Sequence, residues 1–409
     1  MSGISYEWRN GWRTVASGFV GVIFMTAVSI VTGVVMAPLT AEFGWSRAII
    51  TSNVLICSVM TLLLAPVLGR LMARFGPRRC ALIAILAASP ALVLISLAGG
   101  SPLTWLAAWT VFAIINVGIS PMVWSGAVAA LFDRARGMAL AITLSGAGIA
   151  YFAFPQLAVV MLRNFGWRGV YAGIAALLLL ILLPLVYFWF CRPADVSVTP
   201  DSKDHVRARL ADTGFTLGQA LRMRHFWQFI AVAILMALAE GSLQVHFFPI
   251  LREGGLPSSE AAWVISLMGI ALIAGRILAG FMQDRFPPVP VFGFSIAIVL
   301  ASCLLLRFFS GDPLMAMAVS ICLGVGSGGT TIGLAYLASR YFGLSAYPSV
   351  YGLLMGGFSL GYGVAPVVAG YFREVTGSYI PTFDWLIVAL VVAVILTGLM
   401  GPVKVGSAS

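Results

Sequence analysis

The sequence predicts an all-α membrane protein with twelve transmembrane helices in two pseudo-symmetric six-helix bundles. Three observations lead there. Of the 409 residues, 60% are hydrophobic and only 9% charged, more apolar surface than a water-soluble domain can hide. That surface is gathered into twelve runs of roughly 20 residues, each long enough as a helix to cross a hydrocarbon layer about 30 Å thick. The runs are apolar throughout rather than alternating, which excludes an outer-membrane barrel. Finally, a shift of 211 residues aligns Gly69 with Gly280, Arg74 with Arg285, Phe75 with Phe286, Gly146 with Gly357, Pro155 with Pro366 and Gly166 with Gly377. One constant offset through loops and helices alike is the mark of a duplicated bundle.

In chain order, the first six spans read as 13–38, 47–69, 79–99, 103–131, 137–161 and 169–191. The second six read as 226–251, 262–283, 289–308, 314–339, 348–372 and 384–403. The polar stretch 192–225, with Pro193, Pro200 and a short amphipathic piece, separates a bundle at 1–191 from one at 226–409. The N-terminus, MSGISYEWRNGWR, has no signal-peptide core. If it lies inside, 17 of the 24 Lys and Arg fall on the cytoplasmic side, six fall outside and Arg276 is within a span. That asymmetry predicts an inner-membrane protein with both termini and the 192–225 linker in the cytoplasm. The net charge of +10 is thus accounted for without nucleic acid. The cysteines (Cys57, Cys80, Cys191, Cys303, Cys322) sit in or at the ends of apolar runs without metal-ligand spacing.

Within the spans, ionisable groups are few and therefore informative. Arg276 is the sole full charge inside its apolar run, at a cost of at least roughly 2.5–3.5 kcal/mol on insertion scales, so it should face protein or a wet cavity. No acid lies one turn away: positions 272, 273, 279 and 280 are Leu, Ile, Ala and Gly. A guanidinium presents a planar fork of donors that matches a carboxylate. A structural ion pair between helices, or a side chain snorkelling toward Asp284, would use the same residue. In the seventh span, Glu240 and Gln244 are four apart on one face. At 1.5 Å per residue from Phe226, Glu240 lies about 21 Å along the helix, about 10 Å in depth from Arg276. Burial favours the neutral form of a carboxyl, which makes Glu240 the candidate proton site, with a structural acid as the alternative. His246, about 120° around the helix from Glu240, is a second, weaker proton candidate. The aligned positions in the first half are Ala65 for Arg276 and Ser29 for Glu240, so the halves differ where charge is buried.

Polar and aromatic stripes supply further candidates. Asn116, Ser120 and Trp124 follow i, i+4, i+8 spacing beside Pro121, and Tyr351, Met355, Phe358 and Tyr362 run along the eleventh span. Met25, Ser29 and Thr32 belong to the first span, with Tyr151 in the fifth and Tyr336 in the tenth. Ordinary helix packing would also explain such stripes. The run Gly324-Val-Gly326-Ser-Gly328-Gly329 reads as a close-packing segment, not as a phosphate loop. No nucleotide, metal or cofactor motif is present, nor a nucleophile–base pair, so an enzyme is not expected.

Several motifs resemble those of the major facilitator superfamily. The stretch Gly69-Arg70-Leu-Met-Ala-Arg74-Phe-Gly76-Pro-Arg78-Arg79 is similar to the family's loop signature, except that Ala73 replaces its usual acid. The second copy keeps Asp284 beside Arg285. The resemblance implies that Arg70, Arg74, Asp284 and Arg285 gate the cytoplasmic side by bridges between bundles. Phe43-Gly44-Trp45-Ser46-Arg47, Arg136-Gly137 through Ser145-Gly146-Ala-Gly148 to Pro155, Phe165-Gly166-Trp167-Arg168 and Thr376-Gly377-Ser378-Tyr379 look like the monocarboxylate transporter branch. Members of that branch, and the related oxalate–formate exchangers, carry a substrate-binding arginine in the eighth helix with a glycine four residues on, matched here by Arg276 and Gly280. Two departures stand out. Neither the first span nor the eleventh contains the lysine found in animal members or in oxalate-type members, respectively. One buried cation suits one carboxylate, since a dianion would keep an uncompensated charge.

Together these features lead to the expectation of a monomeric secondary transporter that moves a monocarboxylate by alternating access with a proton. The cavity is expected to be lined by the first, fourth, seventh, eighth, tenth and eleventh spans. Organic-anion exchange or efflux would use the same residues. A membrane sensor would need a soluble output domain larger than the 192–225 linker.

Overall fold

The computed structural model describes residues 3–132, 135–190 and 217–401, apart from the side chains of 3, 4, 73, 129, 130, 136, 137, 217, 284, 339 and 343–349. Among the described residues there is no strand, and eleven helical stretches are long and apolar enough to cross a membrane. One of them, Met138–Trp189, has 52 residues, more than twice the required length. It is broken at Gly166, whose φ of 68° and ψ of −177° lie outside the helical region and suit a residue without Cβ. Counted as two spans it brings the total to twelve. The tenth and eleventh spans, Pro313–Phe342 and Val350–Thr376, share one helical run, Pro313–Thr376.

Three boundaries differ from expectation. The first helix begins at Gly3 and runs to Phe43, so the polar N-terminal residues extend the first span. The fourth span is not one helix. It is Pro102–Asn116, a 3-10 turn at Val117–Ile119, an extended Ser120 (ψ 163°), and Pro121–Leu131. Pro121 drives Ser120 out of the α region and cannot donate a backbone hydrogen bond. The seventh span starts at Arg224 after a short helix, Leu217–Arg222, while residues 191–216, which include most of the expected 192–225 linker, lie outside the described residues. Cys191 is among those; the other four cysteines are free thiols.

The chain forms two compact units, Met1–Val198 and Thr199–Ser409. Within the first, the first span packs on the fifth and the second on the fourth. Within the second, the seventh packs on the eleventh and the eighth on the tenth, the same pairs shifted by one repeat. Small residues allow these contacts. In the membrane, helices associate by close van der Waals packing more than by hydrophobic burial, so glycine at the crossing point matters. A Cβ at Gly146 would overlap the Phe19 carbonyl oxygen, and one at Gly241 would stand 2.9 Å from Tyr362 Cα.

The tenth span uses its glycines in two directions. Gly324 and Gly328, one turn apart, face the eighth span, where a Cβ at 328 would stand 2.8 Å from the Arg276 backbone nitrogen. Gly326, Gly329 and Gly333 face Val299, Ser295 and Phe292 of the ninth. Gly328→Ala should therefore destabilise the protein by about 1–3 kcal/mol through overpacking. Gly280→Ala, with nothing within 4 Å of the new Cβ, should be neutral or stabilise by up to about 1 kcal/mol through helix propensity. Thermal unfolding of the detergent-solubilised variants checks the pair, and equal melting temperatures would contradict the packing account.

Candidate functional site

The second unit gathers the buried charges. Glu240 is 4% exposed, and the Thr330 hydroxyl donates to its Oε1 at 2.9 Å. Ser327 Oγ lies within reach of the same carboxyl without adopting hydrogen-bond geometry. The half-buried Arg276 on the eighth span shares a neighbour with Glu240: its backbone lies against Gly328 of the tenth span, two residues before Thr330. The packing of the tenth span makes this possible. With Gly324 and Gly328 on the eighth span and Gly326, Gly329 and Gly333 on the ninth, the remaining face presents Ser327 and Thr330 to Glu240. The depth offset expected from counting residues thus does not isolate the two charges. Thr330 was not foreseen. Its signal was present, a hydroxyl pair three residues apart inside a glycine run, but the run reads as packing alone.

Next to this group lies an aromatic wall. The Tyr362 hydroxyl donates to Gln244 Oε1 at 3.1 Å, and its ring stacks on Phe358 with centroids 6.3 Å apart. Both aromatics are half-buried, as is Tyr351. The spacing on the eleventh span therefore does bring Phe358 and Tyr362 together with the seventh-span Gln244. Tyr336 is drawn elsewhere: Arg340 Nη2 donates to its hydroxyl at 3.0 Å and the guanidinium lies 5.3 Å from its ring centroid.

His246 is 1% exposed and held on both sides. Its Nε2 is 2.8 Å from the Pro366 carbonyl and its Nδ1 2.8 Å from the Tyr379 hydroxyl. A carbonyl can only accept, so Nε2 carries hydrogen, and in the neutral ring Nδ1 accepts from Tyr379. One turn earlier, the Ser242 hydroxyl donates to the Ala365 carbonyl at 3.1 Å. These bonds tie the seventh span to the eleventh and to the start of the twelfth.

In the first unit the candidates do not form a continuous polar face. The break at 117–121 removes the helical register that would align Asn116, Ser120 and Trp124. Trp124 is fully buried; its indole donates to the Ile119 carbonyl at 2.7 Å, and it fills the space left by Gly21. Thr32 is fully buried, accepting from Asn53 Nδ2 at 2.8 Å and donating to Val28 O at 3.2 Å. Tyr151 is 4% exposed, whereas Met25, Ser29 and Asn116 are half-buried. Thr32 and Trp124 are thus enclosed in the packing of their unit.

The loop arginines have aromatic and backbone neighbours. Arg74 lies 5.2 Å from the Phe75 ring centroid and Arg285 4.0 Å from that of Phe281. Arg70 is exposed and bonds weakly back to Pro66 O at 3.4 Å. The side chain of Asp284 lies outside the described residues. At the other end of the first unit, two of the sequence motifs meet. Trp167 Nε1 donates to Glu42 Oε2 at 2.6 Å and Arg168 Nη1 to Oε1 at 2.7 Å. Phe43 stacks on Trp45 at 4.5 Å. Glu42, adjacent to a motif that the sequence singles out, is thus the residue both loops close upon. No group of three or more metal-ligating acids, histidines or cysteines occurs among the described residues.

The profile of the Major Facilitator Superfamily matches residues 18–257 and 245–406, nearly the whole chain. The chain belongs to the major facilitator superfamily. It is a multi-pass membrane transporter with that superfamily's twelve-helix architecture, not an enzyme. Among curated relatives it is 24% identical to monocarboxylate transporter 13 of Bos taurus over 377 residues, covering 91% of this chain and 85% of the relative. It is also 24% identical to monocarboxylate transporter 12 of Rattus norvegicus, covering 95% and 85% respectively. The fold matches a bacterial homologue of the human lysosomal transporter Spinster, in an inward-facing and occupied conformation, with a TM-score of 0.74, 15% identity and 95% coverage of both chains.

His246 supplies a test of this packing. His246→Phe removes two hydrogen bonds and leaves a buried carbonyl and hydroxyl behind, so it should lower stability by about 1–3 kcal/mol. In a double-mutant cycle with Tyr379→Phe the losses should be non-additive by about 0.5 kcal/mol or more. Additive losses in thermal unfolding would show that the two side chains are not coupled.

Proposed function

We propose that this superfamily member is a proton-coupled symporter of monocarboxylates working by alternating access. The observation that carries the reading is Arg276, whose charge acts on the buried, hydroxyl-supported Glu240. Similarity to monocarboxylate transporters supports the same substrate class.

The chemistry follows from charge accounting in a low dielectric. Before substrate arrives, Glu240 supplies the anion that Arg276 needs. A substrate carboxylate, gripped by the planar guanidinium, then competes for the same cation. Two anions beside one cation leave an uncompensated charge, which is costly when buried. Uptake of a proton by Glu240 relieves that conflict, so substrate and proton bind best together. Thr330 suits both states because its hydroxyl lies 2.9 Å from Glu240 Oε1 and 3.0 Å from Ser327 O. It donates to the ionised carboxylate; to the protonated acid it offers its lone pair while its own hydrogen turns to Ser327 O. Gln244, Tyr351, Phe358 and Tyr362 are assigned to the apolar body of the substrate. His246 serves as a tether. The excess of Lys and Arg in alternate loops supports an orientation with both termini in the cytoplasm; we take the protein to be a monomer in the inner membrane.

Arg276→Lys keeps the charge but not the fork, and should lose at least two orders of magnitude in substrate affinity, as should Arg276→Ala; breaking a buried charged contact costs about 3–5 kcal/mol. Binding measured across an acid, its amide and a diacid should favour the acid. Equal affinity for acid and amide, or wild-type affinity in the lysine variant, would reduce Arg276 to a structural cation.

Glu240→Gln should abolish accumulation driven by an inward proton gradient and leave exchange of internal for external substrate in reconstituted vesicles. Unchanged proton-driven accumulation would move the proton site away from Glu240. If the wild type itself exchanges but never accumulates, the chain is an organic-anion exchanger.

A further inference from the structure

The first unit carries a groove that the transport reading does not use. It has a volume of about 400 Å³ and is enclosed by the second, third and fourth spans. Its floor is made of small residues, Ala84, Ala87 and Gly118, and its walls of larger ones such as Leu71, Ile83 and Ile114. The floor exists because the fourth span tightens into a 3-10 turn at Val117–Ile119, where a Cβ on Gly118 would stand 2.5 Å from Ala84 Cβ. The walls are open to the surroundings: Ile83 is 68% exposed and Ile114 50% exposed, on spans that cross the membrane. An opening of this size fits a single flexible chain better than a helix about 10–12 Å across.

The end of the groove is basic. Phe75 and Cys80 line it, and the chain between and around them contributes Arg70, Arg74, Arg78 and Arg79 with no acid from 69 to 80. Arg74 holds its guanidinium 5.2 Å from the ring centroid of Phe75, at the lip. Arg78 is already engaged, donating to the Tyr187 carbonyl and lying 5.3 Å from its ring centroid. Arg74 and Arg79 are exposed. The aligned stretch of the second half keeps Asp284 beside Arg285, so a basic stretch with no acid of its own belongs to the first half alone.

We propose that this groove is a binding site for one anionic phospholipid, its acyl chain along the Ala84–Ala87–Gly118 floor and its phosphate between Arg74 and Arg79. Apolar length ending in two arginines at the membrane boundary is the complement of such a lipid. A patch that served only to orient the chain during insertion would need the charges but no groove.

The test compares phosphatidylglycerol with phosphatidylcholine of identical acyl chains on the purified full-length protein in detergent, reading retained lipid by native mass spectrometry. One phosphatidylglycerol should be retained several-fold better than phosphatidylcholine. The Arg74→Gln, Arg79→Gln double variant should lose on the order of tenfold in phosphatidylglycerol retention, each arginine near an anionic headgroup contributing roughly 1 kcal/mol. Val67→Trp, which places a large ring in the groove from a position 40% exposed, should reduce retention of both lipids. Soluble glycerol phosphate should not compete. Equal retention of the two lipids by the wild type overturns the proposal without any variant. So does phosphatidylglycerol binding that survives the double arginine change, ignores Val67→Trp, or is displaced by glycerol phosphate.

Discussion

The second unit is organised by how closely the tenth span can approach its neighbours. Hydrocarbon solvates apolar side chains as well as protein does, so helix pairs are selected by fit, and glycine gives the closest fit. Two glycines one turn apart bring the eighth span against the tenth, with Gly328 against the backbone of Arg276. Three others bring the ninth span against a second face. What remains of the helix circumference is narrow, and it carries Ser327 and Thr330. The hydroxyls reach Glu240 because the glycines have fixed the rotation of the helix that bears them.

Duplication makes the asymmetry between the halves informative. The same span pairs pack in each unit, yet the alignment sets Glu240 against Ser29 and Arg276 against Ala65. Inside its spans the first unit is tied together by neutral groups and aromatics, and at one loop end by the exposed Glu42–Arg168 ion pair. Asn53 donates to Thr32, Trp124 fills the space over Gly21, and the two tryptophan-bearing loops close on Glu42. A scaffold of that kind has few buried groups that gain or lose charge. Among the described residues, the membrane-buried acid Glu240 and the half-buried cation Arg276 both belong to the second unit.

Much of this was legible in the sequence, and the remainder was hidden for identifiable reasons. Run lengths and the 211-residue repeat disclosed the twelve spans and their duplication, because the hydrocarbon thickness leaves little freedom in helix length. Arg276 and Glu240 stood out because charge is rare in a span. That Trp124 and Thr32 are enclosed in packing was not legible: residue spacing assumes an unbroken helix, and Pro121 breaks that register, while side-chain direction relative to a neighbouring helix is not encoded in the spacing at all. Thr330 went unnoticed because packing glycines and the two hydroxyls share the seven residues from 324 to 330 on different faces. Glu42 and Trp167 are 125 residues apart, and no local pattern signals that the two loops meet.

A hydroxyl is a better companion for a titrating carboxyl than a second cation would be. A fixed lysine beside Glu240 would hold it ionised in every state, and the acid could not respond to a substrate carboxylate arriving at Arg276. A rotor that is both donor and acceptor keeps a hydrogen bond to the carboxyl in both its charged and its neutral form. Thr330 has that freedom because the Ser327 carbonyl, 3.0 Å away, can take its hydrogen when Glu240 no longer needs it. The balance between the two forms is then left to Arg276 and to whatever anion occupies it. On this reading the coupling of substrate to proton follows from having one buried cation, two anions that can claim it, and a neighbour that can bond to the acid in either form.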